Sequence, residues 1–130
     1  MKNNIQNCTA EEALQKLIAG NREYLANNKN TGDVSGEIRL HTYNTGQKPY
    51  AIIVGCSDSR AIPEVIFNAG IGDLFVIRVA GNVIDRHQLG SIEYAADHLG
   101  VNLVVVLGHD HCGAVDAALN HDPDGHIGYL

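Results

Sequence analysis

The chain has 130 residues, 45% of them hydrophobic, and a formal net charge of −6. This length suits one domain that buries its own core, and the hydrophobic content excludes an intrinsically disordered chain. The acidic balance argues against nucleic-acid binding, which would need a basic surface. No apolar run reaches the roughly 18 residues of a membrane-spanning helix. We therefore expect residues 1–130 to form a single domain that binds neither nucleic acid nor membrane.

Neither the N-terminal residues nor the three cysteines suggest a secreted protein. The first residues, MKNNIQNCTAEE, contain no apolar core of an export signal. Cys8 lies in this polar leader and is expected to be a free thiol. Cys56 and Cys112 are each surrounded by glycines and ionisable residues. In a reducing cytosol, such cysteines are more often metal ligands or nucleophiles than disulfide partners. The sequence thus predicts a cytoplasmic protein with functional cysteines.

The N-terminal part predicts one amphipathic helix followed by an extended segment. Thr9 and Glu12 have the spacing of a capping box, which predicts a helix over residues 9–27. The apolar residues expected on one face of this helix are Leu14, Leu17, Ile18, Tyr24 and Leu25. Residues 28–48 are rich in Asn, Gly and Thr, which predicts a loop or extended arm lying on the surface or on a partner chain.

From Pro49 onward, apolar runs alternate with helical segments. The runs at 50–55, 74–81 and 101–108 predict strands, the third of them strongly buried. Helices are predicted for 63–68, 87–100 and 114–120, with Pro63 at the start of the first and Gly100 capping the second. This alternation predicts an α/β fold, a parallel β-sheet flanked by helices with an N-terminal helical arm.

Two motifs rich in metal-binding side chains follow the first and third predicted strands. GCSDSR begins at Gly55, and GHDHCG begins at Gly108. Carboxyl ends of neighbouring parallel strands meet at one edge of a sheet, so Cys56 and Cys112 converge if these strands are adjacent. Cys56, His109 and Cys112 would then offer two thiolates and one imidazole to Zn²⁺ and leave a fourth position open, as in catalytic zinc sites.

The residues themselves leave some roles open. His111 is an alternative to His109 as the imidazole ligand. Asp58 is the candidate for a fourth ligand that would close the site. Alternatively, a bidentate pair with Arg60 would hold Asp58 as the acceptor for the proton of a zinc-bound water, whose pKa zinc lowers to roughly 7. His87 or His111 is a candidate proton shuttle, and Asp110 is expected to be a solvated loop acid. The histidines expected at the surface are His41, His87, His98, His121 and His126.

Four segments together resemble the β-class carbonic anhydrases in order and spacing. They are CSDSR (56–60), DLFVIRVAGN (73–82), GSIEYAADHLGV (90–101) and VVVLGHDHCGAV (104–115). The resemblance covers about residues 47–115. It implies the fold of that class, zinc as the cofactor, and reversible hydration of carbon dioxide to bicarbonate and a proton. It further implies that Cys56, His109 and Cys112 bind zinc beside an Asp58–Arg60 pair.

The resemblance also implies a substrate pocket and an assembly. The amide of Gly113 would face the substrate. Gln47, Phe75 and Tyr94 match positions that line the carbon dioxide pocket of the plant-like open-site subgroup, partly across a dimer interface. These matches favour an open zinc site over one closed by Asp58. We therefore expect a homodimer or a dimer-based oligomer.

Two other functions remain open at this stage. Relatives of this fold hydrolyse carbonyl sulfide or carbon disulfide with the same metal site. Family members also continue well past the H-x-x-C motif, so we expect a truncated chain. A truncated chain could bind zinc, lack activity and only oligomerise.

Overall fold

The computed structural model describes residues 8–121 and 124–130. Residues 1–7, which contribute to the prediction that no export signal is present, lie outside this description. The strands are β1 (Ala51–Gly55), β2 (Leu74–Arg78) and β3 (Val104–Leu107). The helices are α1 (Ala10–Asn27), α2 (Gly36–Thr45), α3 (Pro63–Ile66), α4 (Arg86–Asp97) and α5 (Gly113–Asn120), with 3₁₀ turns at Ala80–Asn82 and Gly125–Tyr129. No helix in these ranges combines the length and apolar character needed to cross a membrane.

The three strands form a parallel sheet in the order β2-β1-β3. β1 pairs with β2 from Ala51↔Leu74 to Gly55↔Arg78. It also pairs with β3, in a register that ends at Gly55↔Leu107. The predicted α/β fold is confirmed, and so is the predicted adjacency of the strands that precede the two motifs.

Both faces of β1 are buried, which explains its uninterrupted apolar sequence. On one face, Ile53 packs in a cluster that includes Leu17 of α1. On the other, Ile52 and Val54 pack in a cluster that includes Ala95 of α4. The sheet is therefore held between α1 on one side and α4 on the other.

The N-terminal helix begins where the capping box predicts. The Thr9 hydroxyl accepts the Glu12 amide at 3.1 Å, and the Glu12 carboxylate accepts the Thr9 amide at 2.8 Å. The predicted apolar face is correct at Leu17, which is buried, and wrong at Leu25, whose surface is 72% exposed. Later in α1, Asn21 donates to the Ile66 carbonyl at the end of α3, at 3.1 Å, whereas the side chain of Leu25 stays exposed.

Residues 36–45 correct the prediction that 28–48 form a loop or extended arm. They form α2, which begins after Ser35, whose hydroxyl accepts the Ile38 amide at 3.3 Å. None of the residues of α2 is buried. Because no face of this helix packs into the core, it lacks the apolar periodicity by which a helix is recognised in a sequence. Ser35 at the N-cap was the local signal for its start.

The third strand corrects a second prediction. β3 covers Val104–Leu107 and is shorter than the predicted 101–108. It is the edge of the sheet in the described chain, and Val104 and Val106 are 44% and 59% exposed, so it is not strongly buried. β2 also ends earlier than predicted, because the chain turns at Ala80–Asn82. Residues 63–66 and 86–97 are helical where helices were predicted over 63–68 and 87–100.

Candidate metal centre

The two motif loops meet at the carboxyl edge of the sheet. Cys56 directly follows β1, and His109 and Cys112 lie between β3 and α5. The Sγ atoms of Cys56 and Cys112 are 3.8 Å apart. One ligand atom from each of Cys56, His109 and Cys112 lies within 4.8 Å of the other two. The predicted convergence of these side chains is confirmed.

The imidazole of His109 is oriented for coordination through Nε2. Its Nδ1 lies 2.8 Å from the carbonyl oxygen of Asp110. Because a carbonyl can only accept, this contact assigns the proton to Nδ1 and leaves a lone pair on Nε2. Nε2 is buried and has no hydrogen-bond partner in the described chain. An unsatisfied buried nitrogen is costly, and a metal ion would satisfy it.

His111 does not belong to the group of three donors. Its side chain is exposed, and its backbone has a positive φ of 54°. Of the two histidines that the sequence offered, the structure brings His109 to the cysteines. The other histidines predicted at the surface are all exposed, namely His41, His87, His98, His121 and His126.

The thiol of Cys56 lies in a setting that favours the thiolate. Burial alone would raise its pKa, but the neighbouring His109 in its protonated form and hydrogen bonds from backbone amides outweigh burial and lower the pKa to about 6. The amides are those of Asp58, at 3.4 Å from Sγ, and Gly81, at 3.2 Å. The contact with Cys56 and the hydrogen bond to the Asp110 carbonyl raise the pKa of His109. Thiolate is the form in which cysteine binds metals.

Asp58 and Arg60 form a pair joined by three hydrogen bonds. The Arg60 side chain donates to both carboxylate oxygens of Asp58, Nε to Oδ1 at 3.0 Å and Nη2 to Oδ2 at 2.8 Å. The Arg60 amide also donates to Oδ1, at 2.9 Å. These bonds hold the pKa of Asp58 well below its usual range. The carboxylate is thereby kept ionised and fixed in direction.

The Asp58–Arg60 pair faces the donor group and joins the two loops. Asp58 Oδ2 lies 3.9 Å from His109 Nε2. Arg60 Nη2 also donates to the His111 carbonyl at 3.0 Å, which connects the loop after β1 to the loop after β3. A negatively charged oxygen is therefore held beside the position that a metal ion would take.

The donor set suits Zn²⁺. Two thiolates and one imidazole are typical zinc ligands, and three protein ligands leave one tetrahedral position for water or substrate. The hydrogen bond from His109 Nδ1 to a carbonyl is the outer contact that orients imidazole ligands in metal sites. The residues present at this edge of the sheet therefore fit the metal that the sequence predicts.

The structure places the predicted pocket residues in two different regions. Gly113 is the first residue of α5, directly after Cys112, and so lies at the donor group. Gln47 precedes β1, at the opposite end of a strand about 16 Å long, from the rise of about 3.3 Å per residue. Phe75 pairs with Ile52, four residues before Cys56, and its ring centroid is 6.0 Å from that of Tyr94. Within one chain, Gln47, Phe75 and Tyr94 are not gathered around the donor group.

Two contacts at the site were not predicted. The Gly81 amide reaches Cys56 from the turn after β2. Arg78, the last residue of β2, donates to backbone carbonyls of the loop that carries Cys56. An arginine that ends the apolar run LFVIR was the available signal, because a charged residue at a half-buried strand end needs partners.

Comparison with known proteins gives one family. The family model described as carbonic anhydrase matches residues 51–130. "Carbonic anhydrase 2" of Mycobacterium tuberculosis is 49% identical over 120 residues, which cover 91% of this chain and 58% of that protein. The carbonic anhydrase of Mycolicibacterium smegmatis is 51% identical over 89 residues, which cover 68% of this chain and 43% of that protein. The chain thus spans less than two thirds of the length of these relatives.

Solved structures of β-carbonic anhydrases share the fold. One from Aspergillus fumigatus superposes with a TM-score of 0.65 at 36% identity, over 88% of this chain and 54% of that one. A structure described as one of two tetrameric β-carbonic anhydrases from Sordaria macrospora gives a TM-score of 0.66 at 27% identity, over 91% of this chain and 60% of that one.

Proposed function

The chain belongs to the carbonic anhydrase family, with the fold of the β class, and we propose on that premise that it catalyses zinc-dependent reversible hydration of carbon dioxide. The observation that carries this proposal is that a ring nitrogen of His109 lies within 4.8 Å of the sulfur atoms of Cys56 and Cys112, while His109 Nε2 is buried and has no hydrogen-bond partner among the described residues. These three atoms would hold the metal ion. When bound, Zn²⁺ lowers the pKa of a coordinated water so that a nucleophile is available near neutral pH.

The role proposed for Asp58 is to orient the attacking oxygen. Its carboxylate is ionised, fixed by Arg60 and turned toward His109 Nε2. An ionised carboxylate beside the metal position can accept a hydrogen bond from the nucleophile and keep its lone pair aimed at the carbon atom. Arg60 acts through Asp58 and holds the carboxylate in place.

The same contacts support an open site. To become a fourth ligand, Asp58 Oδ2 would have to leave its 2.8 Å bond to Arg60. Gly113 begins α5 at the donor group, and the first amides of a helix have no partner within that helix. We propose that this amide donates to a substrate oxygen.

We propose that Gln47, Phe75 and Tyr94 complete the substrate pocket of a second copy of the chain, in a homodimer. Two observations support this assignment. These residues lie far from the donor group of their own chain, as their positions relative to β1 require. Apolar side chains of the N-terminal helices are also exposed, including Leu25 of α1 and Leu40 and Tyr43 of α2. An interface with a second copy would cover these exposed apolar side chains.

We also propose that the protein acts in the cytoplasm. Cys8, Cys56 and Cys112 are all free in the described chain. The two that belong to the donor group must stay reduced to bind metal, and the cytoplasm keeps thiols reduced.

Stopped-flow measurement of carbon dioxide hydration tests the proposed function. The zinc-loaded chain, Asp58→Ala and a control, Asp97→Ala, are compared after their zinc content is measured. Asp97 is an exposed carboxylate at the end of α4, so its loss should leave the rate unchanged. Asp58→Ala should keep zinc and lose most of the rate.

Three results would contradict the proposal. Full activity in Asp58→Ala would refute the role of the carboxylate. Stoichiometric zinc without hydration would favour an inactive, zinc-binding chain, for which light scattering should then reveal assemblies. Turnover of carbonyl sulfide or carbon disulfide without carbon dioxide hydration would assign the same centre to a different substrate.

A further inference from the structure

We propose that Arg78 is a positioning residue of the metal centre, and that its guanidinium holds the turn from which Cys56 and Asp58 project. The inference rests on the proposed metal centre. Arg78 Nε donates to the carbonyl of Cys56 at 2.8 Å, and Arg78 Nη2 donates to the carbonyl of Asp58 at 2.6 Å. One planar group thus binds the backbone of both residues.

The two bonds fix the shape of the turn. Since Nε and Nη2 belong to one rigid plane, the two carbonyls they bind are held at a set separation and direction. The amides of the same turn have other partners. The Ser57 amide donates to the Val79 carbonyl at 3.2 Å, and the Asp58 amide lies 3.4 Å from the Cys56 sulfur. Arg78 supplies a donor to the Cys56 carbonyl and a second donor to the Asp58 carbonyl, which also accepts the Ala61 amide at 3.1 Å.

The place of Arg78 in the sheet explains why it can do this. Arg78 is the last residue of β2 and lies opposite Gly55, the last residue of β1. The Arg78 side chain therefore begins level with Gly55, the residue before Cys56. It reaches the turn from a strand and not from a loop. Groups supported by regular strands are held more rigidly than groups on loops, and metal ligands depend on such support.

Arg78 makes no salt bridge in the part of the chain that the structure describes. Its contacts with the turn are hydrogen bonds to neutral carbonyls, and partial burial of a charged side chain is costly. Charge-assisted hydrogen bonds offset that cost. Both bonds go to carbonyls of one turn. Their main structural effect is therefore to fix the position of that turn.

Two substitutions separate charge from geometry. Arg78→Gln removes the charge and the fork of donors. Arg78→Lys keeps the charge but offers a single ammonium, which cannot reproduce two coplanar bonds. Arg22→Gln is the matched control, because Arg22 is exposed on α1 and Gln is accepted well in helices.

The readouts are Zn²⁺ affinity, by competition with a chromogenic chelator, and the visible absorption spectrum of the Co²⁺-loaded chain. Both are recorded at a temperature at which circular dichroism shows each variant fully folded. Loss of an outer-sphere partner weakens metal binding about 10–100-fold. We expect Zn²⁺ affinity to fall by this factor in Arg78→Gln. The affinity of Arg78→Lys should be closer to that of Arg78→Gln than to that of wild type. The Co²⁺ spectrum should change in both variants. Arg22→Gln should match wild type.

Wild-type affinity and spectrum in both Arg78 variants would overturn the proposal, even if their metal-free forms unfold at a lower temperature. If Arg78→Gln does not fold, Arg78→Lys carries the same test. Failure of the proposed function alone would give a different result. Wild type would then bind Zn²⁺ without hydrating carbon dioxide, and the Arg78 variants would still bind Zn²⁺ more weakly than wild type. A wild-type chain that takes up no Zn²⁺ would refute both.

Discussion

Replacing Gly20 by alanine is a sharp test of how α1 packs on the rest of the chain. Gly20 lies inside α1, and the helix passes close to the backbone that follows α3. A Cβ atom added at Gly20 would lie 1.9 Å from the carbonyl oxygen of Phe67 and 2.8 Å from its carbonyl carbon. Both atoms belong to the backbone, so no side chain can rotate away to make room.

The expected size of the effect follows from two opposing contributions. In an exposed helix interior, alanine is more favourable than glycine by about 1 kcal/mol. At Gly20 the clash requires α1 to move away from Phe67 by about 1 Å or more. Such overpacking typically costs about 1–3 kcal/mol. That movement would also loosen the buried contacts of Leu17 and the 3.1 Å bond from Asn21 to the Ile66 carbonyl. The overpacking cost minus the helix-propensity gain, together with the loosened contacts, leads us to expect that Gly20→Ala lowers the free energy of unfolding by about 1–2 kcal/mol.

Urea unfolding followed by circular dichroism measures this change, and α4 supplies a control. Gly90 is inside α4, and a Cβ atom there would have no neighbour within 4 Å. Gly90→Ala should therefore raise the free energy of unfolding by about 0.5–1 kcal/mol, as helix propensity alone predicts. If Gly20→Ala proves as stable as wild type or more stable, the close approach of α1 to Phe67 is wrong.

Three further predictions concern the metal centre. Arg60→Gln should retain metal but lower the hydration rate about 10–100-fold, because it removes two side-chain hydrogen bonds from Asp58. Stopped-flow rates per bound zinc measure this change. An unchanged rate would show that Asp58 does not need Arg60 to hold it in place. His109→Ala should lose zinc because it removes the imidazole of the donor group, whereas His111→Ala should retain it; metal analysis after dialysis decides, and the reverse pattern would make His111 the ligand. Chelation should lower the melting temperature of the wild-type chain, because a ligand that binds only the native state stabilises it. The melting temperature of His109→Ala should not change on chelation. Equal shifts in the two proteins would place the stabilising metal elsewhere.

Where burial and local chemistry coincide, the sequence was sufficient to predict the structure. β1 is apolar throughout because it is central in the sheet and buried on both faces. The convergence of Cys56 with His109 and Cys112 followed from two strands whose carboxyl ends lie side by side. The capping box at Thr9 is a short-range interaction, and it marks the helix start correctly.

The errors arose where packing partners, which a single sequence does not identify, determine the structure. β3 has the apolar sequence of a buried strand, yet it is the edge strand of the described chain, and Val106 is exposed. Residues 36–45 form a helix without a buried face, so no hydrophobic period revealed it. The contact between Gly20 and Phe67 joins residues far apart in the chain, and helix propensity alone would favour alanine there.

X-ray absorption at the zinc edge of the wild-type chain tests the metal centre most directly. The account predicts two sulfur ligands at about 2.3 Å, with nitrogen or oxygen ligands at about 2.0–2.1 Å completing four-coordination. It also predicts the same spectrum for Asp58→Ala, because Arg60 holds the carboxylate away from the metal. A coordination shell without two sulfurs would contradict the assignment of Cys56 and Cys112, and a changed shell in Asp58→Ala would show that Asp58 closes the site.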